Sequence, residues 1–266
     1  MIAFTDILAQ ASYYYGNGND FYYGSTGAAG HLYSGLTVIG LLLVLLTALI
    51  GGAVQMGLKN AFNRYSQEPA PLTGAETARR MLEQCGVSHV QVISTPGRLT
   101  DHYNPSDRTV NLSESVYNEA SVAAMAVAAH ECGHAIQHAR AYPWLELRSS
   151  LVPVVNIGSR LGQVLLMVGL GLLAMGSGTT VAWIGLAFYA TTTLFALVTL
   201  PVEFDASRRA LSWLKSSGLA GYAMHGQAGT ALRWAAMTYV AAALSSLAML
   251  LYYALILLSR MNHNRD

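Results

Sequence analysis

Three long stretches of this 266-residue chain contain no charged residue, and they restrict its possible folds more than any other feature. They cover residues 36–58, 161–202 and 234–259. A helix needs about 20 apolar residues to cross a bilayer, so the second stretch, interrupted at 176–180, can hold parts of two helices. Buried helices of a soluble bundle are the alternative, but they rarely contain apolar runs this long. We predict four transmembrane helices, at about 36–57, 151–175, 180–201 and 235–258.

The second of these helices is the least regular. Its uncharged part, 161–175, is too short to cross a bilayer alone, so the helix must include residues from Val152 onward, and with them Arg160. A charged side chain at that depth either reaches toward the interface or faces a polar cavity. We therefore expect one of these two environments for Arg160.

The overall charge excludes one class of partner. Only 11% of the residues are charged, against about 25% in an average soluble domain. Fifteen basic and fourteen acidic residues leave a net charge of +1, without the basic surface that nucleic-acid binding requires. The two cysteines, Cys85 and Cys132, provide no disulfide framework. We expect a lipid bilayer as partner and no nucleic acid.

Two polar segments separate the predicted transmembrane helices. Residues 59–148 contain a capping box at Thr73 and Glu76, which predicts a helix ending near Cys85. Strands are predicted at 87–93, 99–103 and 109–112, and a long helix at 121–141. The second segment, 203–233, should begin as a helix and continue as a loop over 218–229. We predict that both segments form one small α+β domain, and that residues 1–35 form an extracytoplasmic N-terminal extension.

The long helix at 121–141 contains the sequence His130-Glu-Cys-Gly-His134. Residues four apart share a helix face about 6 Å apart, so both imidazoles can bind one tetrahedral zinc ion at about 2.1 Å. Glu131 projects about 100° away and can accept a proton from a water that the metal activates. Cys132 should face away from the metal. The motif predicts one zinc ion per chain, with His130 and His134 as ligands and Glu131 as general base.

A zinc peptidase normally has a third protein ligand. His138 is eight residues from His130, about 12 Å along the helix axis, so one ion cannot easily bind both. Glu203 follows the predicted membrane hairpin, which can return it to the two histidines. It could instead only form an ion pair with a nearby arginine of its own helix. Asp205 lies on a different helix face and is a weaker candidate.

Beside the segment around Glu203, five other segments are distinctive, namely Leu72-Thr-Gly-Ala-Glu76, Leu99-Thr-Asp-His-Tyr103 and the segments 110–117, 128–138 and 151–160. In these segments the chain resembles the bacterial YugP-type membrane zinc metallopeptidases, also called neutral zinc metallopeptidases, and the resemblance covers residues 59–250. More distantly it is similar to the HtpX and CAAX-prenyl protease group, in which a membrane hairpin separates H-E-x-x-H from a later glutamate. The resemblance implies a gluzincin-type domain with Glu203 as third ligand. In the distant group an aspartate usually follows the ligand glutamate by four residues, where this chain has Ser207.

Such folds also suggest how a substrate could bind. A strand beside the zinc helix usually pairs with the peptide, and the strand at 109–112 is the candidate. His102 and Tyr103 could donate hydrogen bonds to the negatively charged oxygen of the tetrahedral intermediate. Alternatively, these two side chains only belong to the turn that follows them.

These observations predict an α-helical membrane protein with a small α+β, gluzincin-like zinc domain. The expected activity is that of a zinc-dependent endopeptidase that cleaves a peptide or membrane-protein substrate with a zinc-activated water. A catalytically silent zinc-binding scaffold or chaperone, or a zinc-sensing protein, is the alternative. Such proteins have no need for Glu131, which this chain retains.

The distribution of basic residues predicts the orientation. Residues 59–148 contain eight lysines and arginines and residues 203–233 contain four, whereas residues 1–35 and 176–180 contain none. Cytoplasmic loops carry the excess of basic residues. We therefore expect extracytoplasmic termini and a zinc site at the cytoplasmic face of a bacterial inner membrane.

Overall fold

The structure, a computed structural model, describes residues 28–263. Residues 1–27, which make up most of the predicted N-terminal extension 1–35, and residues 264–266 lie outside the described residues. The described part contains these elements in chain order: α1 (Ala28–Tyr65), α2 (Gly74–Gln84), β1 (Gln91–Thr95), β2 (His102–Asn104), β3 (Thr109–Ser113), α3 (Glu114–Asn118), α4 (Val122–Ala139), α5 (Pro143–Ala174), α6 (Thr179–Ser216) and α7 (Tyr222–His263).

Within residues 28–263, four helices are long and apolar enough to cross a membrane, namely α1, α5, α6 and α7. The chain is therefore a helical membrane protein. Each of these helices extends beyond the predicted apolar span, because a helix can continue into the small domain after it leaves the apolar region. The helix α5 begins at Pro143, a residue suited to a first helical turn, and includes Arg160 without a break.

The loop predicted over 218–229 is wrong, because α7 already begins at Tyr222. Two of the glycines that suggested a loop, Gly226 and Gly229, lie inside this helix. A glycine weakens a helix interior by only about 1 kcal/mol relative to alanine. The burial of Ala228 and Leu232 in the core of the small domain offsets that cost.

Small residues determine how the membrane hairpin packs. The helices α5 and α6 form the most extensive contact, α7 packs against α6, and α1 packs against α7. A side-chain carbon added to Gly169 would lie 2.4 Å from the backbone nitrogen of Ala182, and one added to Gly185 would lie 2.5 Å from that of Leu166. Close approach of helix backbones at small residues is typical of packing within membranes.

The first helix of the small domain, α2, confirms the predicted capping box. The Thr73 side chain accepts a hydrogen bond from the Glu76 N–H, and the Glu76 carboxylate accepts one from the Thr73 N–H. The helix ends before Gly86, which has the left-handed backbone angle φ = +74°. Glycine is favoured there because other residues rarely adopt this conformation.

The sheet corrects one expectation about substrate binding. Its order is β1–β3–β2, with β1 parallel and β2 antiparallel to β3. The strand expected at 109–112 to pair with a peptide is therefore the central strand, fully buried and paired on both sides. The strand β2 lies at an edge and contacts α4. The strand predicted at 87–93 occupies residues Gln91–Thr95 instead.

The core of the small domain surrounds α4. This helix starts at the cap Ser121, whose hydroxyl accepts a hydrogen bond from the Ala124 N–H. Alanines and Met125 bury nearly its whole circumference against α2, the sheet, α6 and α7. A helix that is apolar on most faces belongs in a core, and this one carries its histidines into that core.

Candidate metal centre

Three side chains from two helices converge beside α4. The imidazoles of His130 and His134 share one face of α4, with ring centroids 4.8 Å apart and nearly perpendicular planes. Glu203, on α6, places Oε2 3.2 Å from His130 Nε2 and 3.6 Å from His134 Nε2. The three ligand atoms lie within 4.8 Å of one another. The structure therefore brings together residues that are 73 positions apart in the sequence.

A glycine in the motif allows this approach. A side-chain carbon added to Gly133 would lie 2.6 Å from the carbonyl oxygen of Ala206 on α6. Because that neighbour is backbone, a larger residue at position 133 would have to move one helix away from the other. The absence of a side chain at Gly133 thus lets α6 bring Glu203 to the two histidines.

The donor atoms suit a zinc ion. Two imidazole nitrogens and one carboxylate oxygen form a typical catalytic set, which leaves a fourth position open. Ligands of a tetrahedral zinc ion with bonds of about 2.0–2.1 Å lie about 3.3 Å apart. The distances of 3.2 and 3.6 Å from Glu203 Oε2 are close to this separation. The side chains of His130 and His134 are 13% and 10% exposed, so the cluster remains open at one side.

Hydrogen bonds to the Nδ1 atoms, the ring nitrogens that do not face Glu203, orient both histidines. His130 Nδ1 lies 3.1 Å from the Ser207 hydroxyl, and His134 Nδ1 lies 3.0 Å from Gln137 Oε1. The Gln137 amide nitrogen donates to the Val202 carbonyl and to the Asp205 carboxylate. Since that leaves the Gln137 oxygen as an acceptor, His134 must donate from Nδ1, and its Nε2 lone pair is free for a metal.

The two alternative ligands, His138 and Asp205, lie outside the cluster. The His138 Nδ1 atom is 2.7 Å from the hydroxyl of Tyr103. The Asp205 carboxylate forms ion pairs with Arg208 and Arg209 and accepts the hydrogen bond from Gln137. Asp205 therefore lies outside the cluster but holds the Gln137 amide, which in turn contacts His134.

The carboxyl group of Glu131 is buried next to the metal-binding face. Burial raises its pKa to about 7, and the charges of Glu203 and Asp101 act in the same direction. His130 and the backbone N–H of Tyr103 partly oppose this rise. A cation in the cluster would also lower the pKa, because positive charge favours the carboxylate. Glu131 is thus a desolvated acid–base group beside the proposed ligands.

Among the remaining candidates, His102 and Tyr103 stay predicted substrate contacts, and Cys132 lies on another side of α4. His102 is exposed, and its Nδ1 lies 2.8 Å from the Thr100 carbonyl oxygen. The Tyr103 side chain contacts His138, and only its backbone N–H reaches Glu131. Cys132 is buried against α2, where its thiol lies 3.5 Å from the Ala78 carbonyl oxygen.

Sequence reasoning missed two side chains that border the cluster. An Arg148 guanidinium nitrogen, from α5, lies 3.4 Å from Glu203 Oε1. Tyr239, from α7, lies near the same carboxylate. In the sequence, Arg148 was one of the basic residues used only to predict the orientation in the membrane. Tyr239 lies in an apolar run without any motif. The proximity to Glu203 arises from helix packing, which no local pattern reveals.

Comparison with known proteins agrees with this arrangement. Residues 40–258 match a family described as "Putative neutral zinc metallopeptidase". The chain is also 42% identical over 212 residues to the "Putative membrane protease YugP" of Bacillus subtilis (strain 168), a match that covers 79% of this chain and 92% of the relative. No solved structure matches the chain. With most of its length matched by the family, and a triad able to bind a metal inside that region, the chain belongs to the neutral zinc metallopeptidase family.

Proposed function

We propose that this protein is a zinc-dependent membrane endopeptidase in which His130, His134 and Glu203 bind the metal and Glu131 is the general base. One observation carries the proposal: the H-E-x-x-H helix and Glu203 meet with ligand spacing, while Glu131 is buried beside them. The domain is then of the gluzincin type, in which the third ligand is a glutamate from a later helix. The zinc content follows as one ion per chain.

Each side chain has a specific part in such a reaction. Zinc would supply the Lewis acidity that activates a water for attack on the peptide carbonyl. Glu131 takes the proton from the attacking water and transfers it to the leaving amine. Ser207 and Gln137 hold the two imidazoles so that Nε2 stays directed at the metal. Burial keeps Glu131 from bulk water until the proton is transferred.

The free edge of β2 suggests where a substrate lies. The backbone N–H of Tyr103, on the edge strand β2, lies near Glu131, so this strand passes beside the proposed base. A peptide that pairs with this edge would bring its backbone beside the proposed base. Such binding depends on the peptide backbone more than on side chains, which suits an extended segment of a peptide or of a membrane protein.

We also propose that the site opens to the cytoplasm of a bacterial cell, from the inner membrane. The segments that carry the ligands and the ligand supports are the two basic ones, with eight and four lysines and arginines. Both Cys85 and Cys132 are free thiols, consistent with a reducing compartment. Substrates would then be membrane proteins or segments exposed at the cytoplasmic face.

The test of catalysis is the replacement Glu131→Gln, which keeps the shape and removes the base. We expect zinc to remain bound and cleavage of β-casein to fall by about 10²–10⁴-fold, the usual contribution of a positioned base. Glu146→Gln, at an exposed glutamate of α5, serves as the matched control. Activity of Glu131→Gln within about threefold of wild type would refute the mechanism and favour a scaffold or zinc-sensing role.

The proposed orientation has a separate test. Single cysteines at Ser106 and Ser216, both exposed, are introduced into a chain lacking Cys85 and Cys132. We expect an impermeant maleimide to leave both positions unlabelled in intact cells and to label them after permeabilisation. Labelling of either position in intact cells would contradict a cytoplasmic site.

A further inference from the structure

A small cavity opens beside the proposed metal centre, where α4 faces the hairpin of β2 and β3. It has a volume of about 260 Å³, and the described residues that line it are His89, Tyr103, Arg108, Ala135, His138 and Ala139. Because His134 and His138 are four residues apart, their side chains share one face of α4, about 6 Å from each other. The cavity therefore begins one helical turn from a proposed zinc ligand. Its volume is below the roughly 300–1,000 Å³ of small-molecule sites and suits a single side chain.

The lining of this cavity favours a negatively charged group. None of the described residues that line it is acidic. Arg108 carries a permanent positive charge, and within the described part of the chain it forms no ion pair. His89 and His138 are exposed and add ring nitrogens that can donate hydrogen bonds. A carboxylate complements such a lining, whereas a lysine or arginine of a substrate is repelled by it.

Tyr103 and His138 provide a hydrogen-bond donor whichever tautomer the imidazole adopts. The Tyr103 hydroxyl lies 2.7 Å from His138 Nδ1, and the two ring centroids are 5.7 Å apart. A phenol and a neutral imidazole have one O–H and one N–H, and the hydrogen bond between the two rings uses only one of these protons. The other proton remains free to donate. The pair therefore adds a donor to the positive charge of Arg108.

The backbone of Arg108 gives a separate indication that its side chain is needed. Its φ is +54°, in the left-handed region where glycine is favoured and a residue with a Cβ is disfavoured. The hairpin turn holds this conformation: Asn104 accepts a hydrogen bond from the Ser106 N–H and donates one to Asp107, and the Arg108 carbonyl accepts one from Gln91. Residues kept in unfavourable backbone regions cluster at binding sites. The hairpin thus keeps an arginine where glycine would fit the backbone better.

We propose that this cavity binds the side chain of an aspartate or glutamate close to the scissile bond of the substrate, and that Arg108 determines this specificity. This inference rests on the proposed peptidase function. An extended peptide along the edge of β2 advances about 3.3 Å per residue. A cavity one helical turn from His134 therefore receives a side chain one or two residues from the cleaved bond. The substrates are then peptide segments with an acidic residue at one fixed position beside the cleavage site.

The experiment measures which bonds the zinc-loaded full-length protein cleaves in a mixture of random synthetic peptides. The peptides are acetylated and amidated, so that side chains carry their only carboxylates, and mass spectrometry identifies the products. Wild type is compared in detergent with Arg108→Gly, which removes the charge and suits the backbone, and with Arg108→Lys, which retains the charge. Arg80→Gln is the matched control, because Arg80 is exposed on α2 and does not line the cavity.

For wild type we expect aspartate and glutamate to be preferred over asparagine and glutamine by about tenfold at one position near the cleaved bond, the lower end for a hydrogen bond to a charged group. Arg108→Gly should reduce this preference to about twofold or less without lowering the unfolding temperature, since glycine relieves the backbone. Arg108→Lys and Arg80→Gln should keep the preference. Added salt should weaken it in wild type, because salt screens exposed charges.

Three outcomes would overturn the inference. Cleavage by wild type without an acidic preference, or an unchanged preference in Arg108→Gly, would remove the role of the cavity and leave the peptidase function intact. Equal loss of the preference in Arg80→Gln and Arg108→Gly would assign it to the overall charge of the small domain. If zinc-loaded wild type cleaves neither the peptide mixture nor β-casein, the proposed peptidase function fails, and this inference fails with it.

Discussion

The two halves of the helix α6 differ in which side chains they expose and bury. Residues 179–201 contain no charged residue and expose Ile184, Leu194 and Leu197, as expected for contact with lipid. Residues 202–216 bury Glu203 and Asp205 inside the small domain. The backbone continues as one helix through Pro201 between these halves. The difference therefore comes from the surroundings of each half and not from its secondary structure.

The close contacts of the two halves also serve different purposes. In the first half, Gly169 and Gly185 let α5 and α6 approach, and the contact contains no metal-binding group. In the second half, Gly133 lets α4 approach α6, and the contact holds His130, His134 and Glu203. Both contacts nevertheless lie on one continuous helix. One helix therefore both spans the membrane and carries a proposed metal ligand.

The largest expected effect concerns the ligand in the second half. Glu203→Ala removes one of the three proposed ligands and leaves Arg148 without its partner. We expect zinc affinity, measured by competition with a chelator, to fall by more than the roughly 10–100-fold cost of removing a group that only orients a ligand. His138→Ala should retain zinc, because His138 binds Tyr103 instead. Equal zinc loss in both variants, or loss only in His138→Ala, would contradict the assignment of Glu203.

The next prediction compares the two glycine contacts directly. Gly133→Ala forces α4 from α6 at the cluster, whereas Gly169→Ala forces α5 from α6 in the membrane half. Both should destabilise the fold, by about 1–3 kcal/mol for overpacking. Only Gly133→Ala should weaken zinc binding, by roughly tenfold or more, because the affected contact holds the ligands.

Thermal unfolding in detergent and chelator competition measure the two effects separately. Gly171→Ala is the matched control, since an added carbon at Gly171 meets no atom within 4 Å. Equal zinc loss from the Gly133 and Gly169 variants would mean that the two halves of α6 do not act independently. The distinction between an anchoring half and a ligand-bearing half would then be wrong.

The sequence predicted the features that depend on residues close together in the chain better than those that depend on distant residues. The four membrane helices, the capping box at Thr73 and the helix carrying His130 and His134 all follow from patterns within a few dozen residues. The third ligand was proposed from the hairpin and from resemblance, because Glu203 has no local motif. Its approach to the histidines depends on Gly133, whose contact partner Ala206 is 73 residues away.

The errors have a common physical origin. Strand propensity does not reveal strand order. The last strand along the chain, β3, pairs with both β1 and β2 and is therefore the central strand. Tyr239 was missed because a tyrosine in an apolar helix is ordinarily an interfacial residue. Each case is a tertiary contact that no local pattern contains.

The smallest expected effect concerns Ser207, in the second half of α6. Its replacement tests whether this hydroxyl helps to orient the proposed ligand His130. Its hydroxyl lies 3.1 Å from His130 Nδ1, and in the distant protease group an aspartate is usual at this position. We expect Ser207→Ala to lower zinc affinity by about tenfold, the lower end for a group that orients a histidine ligand. Ser207→Asp should bind zinc at least as tightly as wild type, because a carboxylate is a stronger acceptor for the imidazole N–H. Chelator competition on the purified variants measures both. If Ser207→Ala retains full affinity, His130 is oriented by the packing of α4 alone, and the serine has no part in the site.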